Sequence, residues 1–341
     1  MDKQTKEKKV SDRYAQMLHQ YIQHGSEDAL YNAQQLSKSM IDKGVSPEEI
    51  VGFHIESIKK DFLNIQPEVL QSFDFLLEIM IGYGIQYREH VSLREKQIQL
   101  QSEIEIAAKM QQTLLPPIPS SIPSDLELGI CSVAAKRMSG DYYHVFVDNS
   151  GYLCLAVADI IGKGIPAALC MSLIKYAIES LVDHPLDPHT LLSSINRVVE
   201  KNIDINMFVT MVYGTYCFSD HVFRYASAGH EPSLYYSAQD DQFYDLEAKG
   251  PVLGLTHEAT YQEQSIEVQP NDIIILFTDG LTEIRVEEER FIERDEIKEL
   301  FNEYKHLPAQ EMADSIHKQL LKLSDFELQD DQTIVVIKRS A

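Results

Sequence analysis

Residues 157–171, VADIIGKGIPAALCM, contain the transition that decides the fold of the larger part of the chain. An apolar, strand-like run ends in the carboxylate Asp159, and Gly162 and Gly164 separate it from a helix-like run. A phosphate-binding loop would require Ser or Thr directly after Lys163 and a further glycine five residues before Gly162, and the sequence has neither. A single acid at such a place commonly caps the following turn. Asp159 therefore indicates chemistry only if it has partners elsewhere.

Similar acids occur at three further junctions between a strand and a loop. They lie in SGDYYHVFV, IIILFTDGLTE and LQDDQTIVVIKR, as Asp141 beside Gly140, Asp279 beside Gly280, and Asp330 with Asp331. Four such acids brought together would repel one another unless a cation neutralised them. Oxygen ligands select hard ions, so the pattern predicts a Mg²⁺ or Mn²⁺ site. The alternative is that each acid caps its own turn.

The N-terminal part is predicted to be helical. Residues 1–87 contain four amphipathic segments, which indicate a small helical bundle. The third segment has a clear start signal, because Ser46 is followed by proline and Glu49 can close a capping box. Residues 88–121 are predicted to be a helical linker, which must end at Pro116 in a proline-rich turn.

The linker has the spacing of a coiled-coil seam. Its seam positions alternate in steps of four and three, which favours pairing with a second chain. The alternative is a helix that lies on the next domain. The predicted seam consists of Leu93, Gln97, Leu100, Ile104, Ala107, Gln111 and Leu114.

Residues 122–341 change to strand patterns. Strand-like runs such as LELGICSV and YLCLAVAD occur in clusters, with helical segments near 166–181, 188–202 and 308–322. Strands grouped in this way predict an α+β fold with largely antiparallel sheets. The whole chain is therefore expected to be a helical bundle, a coiled-coil linker helix and a C-terminal sheet domain flanked by helices.

Composition limits the classes of partner and compartment. The 53 acidic and 30 basic residues give a net charge of -23, which disfavours nucleic acid and anionic membranes as partners. The apolar runs are far shorter than the roughly 20 residues that a membrane span needs, and the N-terminus lacks the apolar core of a secretory signal. The four cysteines match no zinc spacing. We therefore expect a cytoplasmic protein.

Five motifs in the C-terminal part carry a family resemblance. SGDYY, ADIIGKGIPAAL, SAGHEP, FTDGLTE and DDQT stand in the order found in bacterial PP2C-type (PPM) serine phosphatases of the SpoIIE group. The resemblance covers residues 122–341 and implies a PP2C-like β-sandwich flanked by helices. The segments LLEIMIGYG and SEIEIAAKMQQTLL resemble the members of this group that activate the general stress sigma factor through a partner switch.

The resemblance also implies a site with two Mn²⁺ or Mg²⁺ ions. Asp159 is expected to bridge both ions and the carbonyl of Ile160 to bind one of them. Of the last acid pair the resemblance favours Asp330 over Asp331 as a ligand, and Asp331 is expected to start the strand. Asp279 is expected to bind the other ion and Asp141 to act through water. Gly162 and Gly164 are expected to form the tight turn beside the ions.

Three nearby side chains have no role that the resemblance decides. His230 in SAGHEP either packs against its loop or serves in acid–base catalysis. Arg137 is a doubtful equivalent of the phosphate-binding arginine of the eukaryotic relatives. The role of Lys163 is open, because many bacterial relatives have histidine at that position.

The function implied is that of a regulated protein serine phosphatase. Its expected substrate is a phosphorylated anti-anti-sigma protein of the STAS class, its expected activator is a switch-type serine kinase bound to residues 1–84, and the chain is expected to form a homodimer. Two alternatives remain. One is an adaptor without catalysis, which the presence of all four acids disfavours. The other is a metal-dependent nucleotide hydrolase, which is disfavoured because the sequence has no base-binding signature.

Overall fold

The computed structural model describes residues 3–25, 27–62, 64–162, 164–181, 187–203, 207–286 and 290–340. Lys163, whose role the sequence left open, lies outside the described residues. The chain divides into two compact units, Met1–Gln101 and Ser102–Ala341. Among the described helices, none combines the length and the hydropathy that a bilayer span requires.

The first unit is helical, as the sequence predicts. Its small core contains Val10, Leu36 and Met40. The predicted capping box is confirmed, since the Ser46 backbone N–H donates to Glu49 Oε2 at 2.7 Å and the Glu49 N–H donates to Ser46 Oγ at 3.4 Å. The helices are α1 Lys3–His24, α2 Glu27–Asp42, α3 Pro47–Asp61 and α4 Pro67–Gln112.

Helix α4 differs from the sequence prediction of a fourth bundle helix followed by a separate linker helix. It is a single helix of 46 residues, and the division between the two units falls inside it. Residues 85–115 contain neither glycine nor proline, so nothing in the sequence interrupts the helix where its apolar pattern changes. The helix ends at Gln112, four residues before the proline that was expected to stop it.

The second unit is built on two antiparallel sheets of five strands. One sheet has the order β1-β10-β9-β6-β7 and the other β2-β3-β4-β5-β8. The strands are β1 Leu126–Val133, β2 Asp141–Val147, β3 Tyr152–Ile160, β4 Val209–Cys217, β5 Val222–Ala228, β6 Ser233–Ser237, β7 Gln242–Leu246, β8 Glu263–Glu267, β9 Ile273–Phe277 and β10 Gln332–Arg339.

Helices cover the outer faces of both sheets. The α5 and α6 segments and the late helix α8 were predicted near their observed positions, whereas α7 was not predicted. These helices are α5 Ile165–Leu181, α6 Pro188–Asn202, α7 Arg294–Tyr304 and α8 Ala309–Leu323, with a short 3₁₀ helix Asp279–Leu281 after β9. The predicted α+β architecture of helices followed by two antiparallel sheets with flanking helices is confirmed.

The alternation of side chains along each strand sorts the core into layers. On β3, Leu155 and Val157 pack between the sheets, whereas Ala156 and Ala158 pack toward α5 and α6. The same period places Asp159 on the face between the sheets, one residue before the end of its strand. The acids of the second unit therefore lie at the rim of the sandwich, where a strand end can present a side chain to a ligand.

Candidate active site

The ends of β2 and β3 place two acids side by side. Asp141 and Asp159 are direct partners in the antiparallel register of these strands. Such partners lie about 5 Å apart at the Cα atoms. Both acids also belong to the face between the sheets, because they continue the alternation of Val145 and Val157.

The ends of β9 and β10 contribute the second acid pair. Asp279 follows β9 at the start of the 3₁₀ helix, and Asp330 precedes β10. The two strands are neighbours in their sheet. The charge of Asp330 helps to raise the pKa of Asp279, so these two carboxylates are close enough to interact.

A threonine that the sequence analysis did not single out connects the two pairs. The Thr278 side chain is fully buried. Its hydroxyl donates to Asp141 Oδ2 at 2.7 Å and accepts the backbone N–H of Thr333 at 3.0 Å. Thr278 therefore ties an acid of one sheet to the strand ends of the other. The residue lies inside the quoted motif FTDGLTE, but only the fold shows its partner, 137 residues away.

Asp331 uses both of its carboxylate oxygens to hold the loop before β2. Oδ1 accepts the backbone N–H of Ala135 at 2.7 Å, and Oδ2 accepts the backbone N–H of Gly140 at 2.6 Å. The residue is 5% exposed and is followed directly by β10. Its carboxylate thus fixes the position from which Asp141 projects.

Glycines permit the close approach of backbone at this site. A Cβ on Gly140 would lie 3.0 Å from the Ile160 carbonyl oxygen and 3.2 Å from Asp159 Oδ1. The Ile160 carbonyl and the Asp159 carboxylate therefore face the same small space beside Gly140. Gly162 and Gly164 have φ values of +122° and +82°, which agree with the predicted tight turn because side chains disfavour such angles.

Electrostatics mark the site as a concentration of negative charge. Burial raises the pKa of Asp141 well above its usual value; the Thr278 hydrogen bond opposes this rise, and the charge of Asp159 adds to it. Burial likewise raises the pKa of Asp279, and the charges of Glu283 and Asp330 add to the effect. A bound cation would relieve this repulsion.

The donor set fits a hard divalent cation that retains water ligands. The candidate donors are carboxylate oxygens and one backbone carbonyl, which suit Mg²⁺ or Mn²⁺. Across the described residues, no three His, Cys, Asp or Glu side chains are grouped closely enough to hold an ion by themselves. Mg²⁺ commonly binds through one or two carboxylates and several waters, which is compatible with acids arranged in pairs.

His230 is buried beside the acids and uses both ring nitrogens. Its Nε2 lies 3.1 Å from the Phe277 carbonyl oxygen, which can only accept, so this nitrogen carries the proton. Its Nδ1 lies 2.9 Å from Thr210 Oγ1, and Thr210 is the register partner of Asp159. Burial lowers the pKa of His230 to about 4. The geometry favours the packing role over acid–base catalysis, since the ring is neutral and fully engaged at neutral pH.

Arg137, the basic residue near the first motif, forms an ion pair with an acidic side chain of α4. Arg137 Nη1 forms an ion pair with Glu105 Oε1 on α4 at 3.2 Å, and both side chains are at least half exposed. The structure therefore gives no support for the role of phosphate-binding arginine at this position.

Comparison with known proteins matches both parts of the chain. The family described as "Stage II sporulation protein E (SpoIIE)" matches residues 149–340, and the family described as "Phosphoserine phosphatase RsbU, N-terminal domain" matches residues 12–86. Phosphoserine phosphatase RsbU of Bacillus subtilis (strain 168) is 48% identical over 332 residues, which are 97% of this chain and 98% of that protein.

Solved structures show the same fold at lower identity. The SiaA-PP2C domain of Pseudomonas aeruginosa superposes with a TM-score of 0.61 at 18% identity, covering 71% of this chain and 98% of that one. The PP2C phosphatase domain of SpoIIE from Bacillus subtilis, with a fragment of its regulatory domain, gives a TM-score of 0.52 at 20% identity, covering 63% and 62% of the two chains.

Proposed function

Because the chain belongs to the SpoIIE family of metal-dependent PP2C-type protein serine phosphatases and also carries the N-terminal domain of phosphoserine phosphatase RsbU, we propose that its substrate is a phosphorylated anti-anti-sigma protein of the STAS class. The observation that carries this proposal is the 48% identity to RsbU, which extends over both domains of the chain. The chain is thus a phosphatase of the stress-response partner switch, and the phosphoserine of its target is the group that it hydrolyses.

The four strand-end acids are the proposed metal ligands. Asp159 would be the ligand shared by the Mn²⁺ or Mg²⁺ ions, the Ile160 carbonyl, Asp279 and Asp330 would complete the set of ligands, and Asp141 would act through water. When bound, the ions supply a water of lowered pKa and positive charge beside the phosphoryl oxygens. Support comes from the raised pKa values of Asp141 and Asp279, which indicate a site that favours added positive charge.

The protein's own part in the reaction is to keep these ligands in place. Thr278 orients the Asp141 carboxylate through the 2.7 Å hydrogen bond, and Asp331 holds the loop that precedes Asp141. In the reaction the oxygen of water forms a bond to phosphorus while the bond between phosphorus and the serine oxygen breaks. One proton of that water ends on the serine oxygen, so the products are serine and inorganic phosphate. No covalent intermediate on the enzyme is needed, so no nucleophilic side chain is assigned.

Regulation is proposed to come from the first unit. A switch-type serine kinase binds residues 1–84, and two chains form a homodimer. Large apolar side chains on α4 support the dimer, because Phe75, Ile79 and Tyr83 are each more than half exposed in the single chain. We place the protein in the cytoplasm, where its four free cysteines stay reduced.

The test is phosphate release from a phosphorylated STAS protein by wild type and by Asp159→Asn in the presence of Mn²⁺. Loss of a bridging carboxylate is expected to lower the rate about a thousandfold while the fold stays intact. Asp295→Asn is the matched control, because it makes the same chemical change at an exposed position on α7. Near-normal turnover by Asp159→Asn at saturating Mn²⁺ would contradict the ligand assignment. Wild type that releases no phosphate would contradict the proposed substrate and favour an adaptor.

A further inference from the structure

Gln111, in the last turn of α4, has an environment unlike that of its neighbours. It is 6% exposed, whereas Met110 is 66% exposed and Gln112 is also exposed. Its carboxamide forms two hydrogen bonds with the backbone of Ser139. Gln111 Nε2 donates to the Ser139 carbonyl at 2.7 Å, and the Ser139 N–H donates to Gln111 Oε1 at 3.0 Å. The side chain thus pairs with one residue as a neighbouring strand would.

Ser139 begins the short loop that leads to Asp141, the first residue of β2. Its Oγ accepts the backbone N–H of Asp141 at 3.0 Å. The next residue, Gly140, donates its N–H to Asp331 and accepts the N–H of Ile160 at 3.1 Å. One hydrogen-bond network therefore connects the Gln111 carboxamide to the start of β2 and to the end of β3.

The end of α4 is fixed on the same unit of the protein. The Leu114 N–H donates to the Gln111 carbonyl at 2.9 Å and closes the last turn. Leu114 and Leu115 then pack against the core formed by β3, β4, α5 and α6. The position of Gln111 is therefore set by the helix terminus, which is held on the same unit as Ser139.

This arrangement corrects the sequence prediction for two seam positions. Gln111 and Leu114 were expected to face a second chain as part of the coiled-coil seam. Instead, Gln111 is buried against Ser139, and Leu114 packs on the core of its own unit. The 3.5-residue repeat of the apolar pattern is the same whether a helix packs on a partner helix or on its own domain.

We propose that Gln111 is a positioning residue of the metal centre, which holds the loop Ser139–Asp141 so that Asp141 and the Ile160 carbonyl face the ions. The inference rests on the proposed function for the identity of that centre. Without the carboxamide, the Ser139 N–H and carbonyl would lose both partners, and the loop would shift to find water. Residues that orient metal ligands typically change metal affinity or activity by about 10- to 100-fold when they are replaced.

The experiment compares Gln111→Met with Gln112→Met in the full chain. Methionine keeps the length and helix propensity of glutamine but cannot form the two hydrogen bonds. Mn²⁺ affinity is measured by calorimetry, and protection of the amides of residues 139–141 by hydrogen exchange. For Gln111→Met we expect about tenfold weaker Mn²⁺ binding and faster amide exchange, with a rate at saturating Mn²⁺ that falls less than the affinity. Gln112→Met is expected to match wild type in every measurement.

A second variant, Gln111→Glu, tests the role of Gln111 if Gln111→Met does not fold. Gln111→Glu retains an acceptor for the Ser139 N–H but replaces the donor with a charged oxygen that faces the Ser139 carbonyl, so amide protection below that of wild type is expected. A folded variant at position 111 with wild-type Mn²⁺ affinity and wild-type exchange would overturn the proposal. Failure of the proposed function is distinguishable, because it abolishes phosphate release by wild type while metal binding and exchange still test the loop.

Discussion

A buried imidazole on β2 gives the fold a built-in sensitivity to acid. His144 is 4% exposed, and its Nδ1 lies 2.7 Å from the Tyr142 hydroxyl oxygen. Burial lowers the pKa of His144 to about 4; Glu179 opposes this shift and Lys175 adds to it. In an unfolded chain the pKa of histidine is about 6.5. Between these two values only the unfolded chain binds the proton, so the free energy of unfolding falls as the pH falls from about 6.5 towards 4.

The variant His144→Phe tests this linkage because phenylalanine cannot take up a proton. At pH 7 the variant is expected to be less stable than wild type, since the Tyr142 hydroxyl loses its partner. As the pH falls, the free energy of unfolding of wild type alone decreases by up to about 3 kcal/mol through this histidine. The difference in stability between wild type and the variant therefore becomes smaller. This difference in the free energy of unfolding is measured by urea unfolding of both proteins between pH 7.5 and 4.5. All other titrating groups are shared, and a difference that stays constant with pH would contradict the assignment.

At the same scale, the sequence singled out the acids but not the side chains that hold them in place. The four carboxylates could be proposed as ligands because each stands at a junction of an apolar strand and a loop. Thr278 and Gln111 were not found as site residues, because their partners Asp141 and Ser139 are 137 and 28 positions away. A hydrogen bond between distant residues leaves no local pattern, so the fold is needed to show it.

At the scale of the element, the turn after β9 has no space for a side chain. A Cβ on Gly280 would lie 1.8 Å from the Asp331 carbonyl oxygen, a backbone atom that cannot move without β10. This contact brings the two strand ends together, with Asp279 on one and Asp330 on the other. The glycine therefore sets the spacing of the second acid pair.

Replacing Gly280 with alanine is expected to separate those strand ends. The overlap should lower the free energy of unfolding by about 1–3 kcal/mol, the usual cost of overpacking, and weaken Mn²⁺ binding. Gly52→Ala is a suitable control, because that glycine lies within α3, an added methyl group would meet no atom within 4 Å, and alanine favours helix. Chemical denaturation and Mn²⁺ calorimetry on both variants make the comparison. Unchanged stability and affinity in Gly280→Ala would show that the turn adapts.

The ends of helices and strands could be predicted where the sequence has both a periodic apolar pattern and a glycine or proline that interrupts it. The apolar runs of β3 and β9 and the glycines after β3 predicted where these strands end. The extent of α4 was not predicted, since the change of apolar pattern near residue 88 suggested a boundary that no glycine or proline enforces. Helix α7 was missed, and its start is formed by a capping box of Glu293 and Glu296 rather than by the more familiar Ser or Thr.

At the scale of the whole molecule, the remaining seam positions on α4 are the basis for a proposed switch between two chains. Leu93, Leu100 and Ile104 are 59%, 58% and 37% exposed in the single chain. Gln97 lies among them as a polar core position, which weakens pairing but fixes its register. A marginal coil is easily biased, because a partner that binds the paired form better shifts the population by its difference in affinity.

Replacing Gln97 with leucine is expected to tighten the dimer at least about tenfold, since two buried polar side chains are removed per coil and each factor of ten needs only about 1.4 kcal/mol. If pairing is the switch, basal phosphate release without an activator should rise as well. Ser102→Leu is the matched control, because residue 102 is exposed on the opposite face of the heptad pattern. Sedimentation measures the dimer, and phosphate release from the phosphorylated STAS protein measures activity. A tighter dimer of Gln97→Leu with basal activity at the wild-type level would separate pairing from activation, and the helix would then serve only to connect the two units.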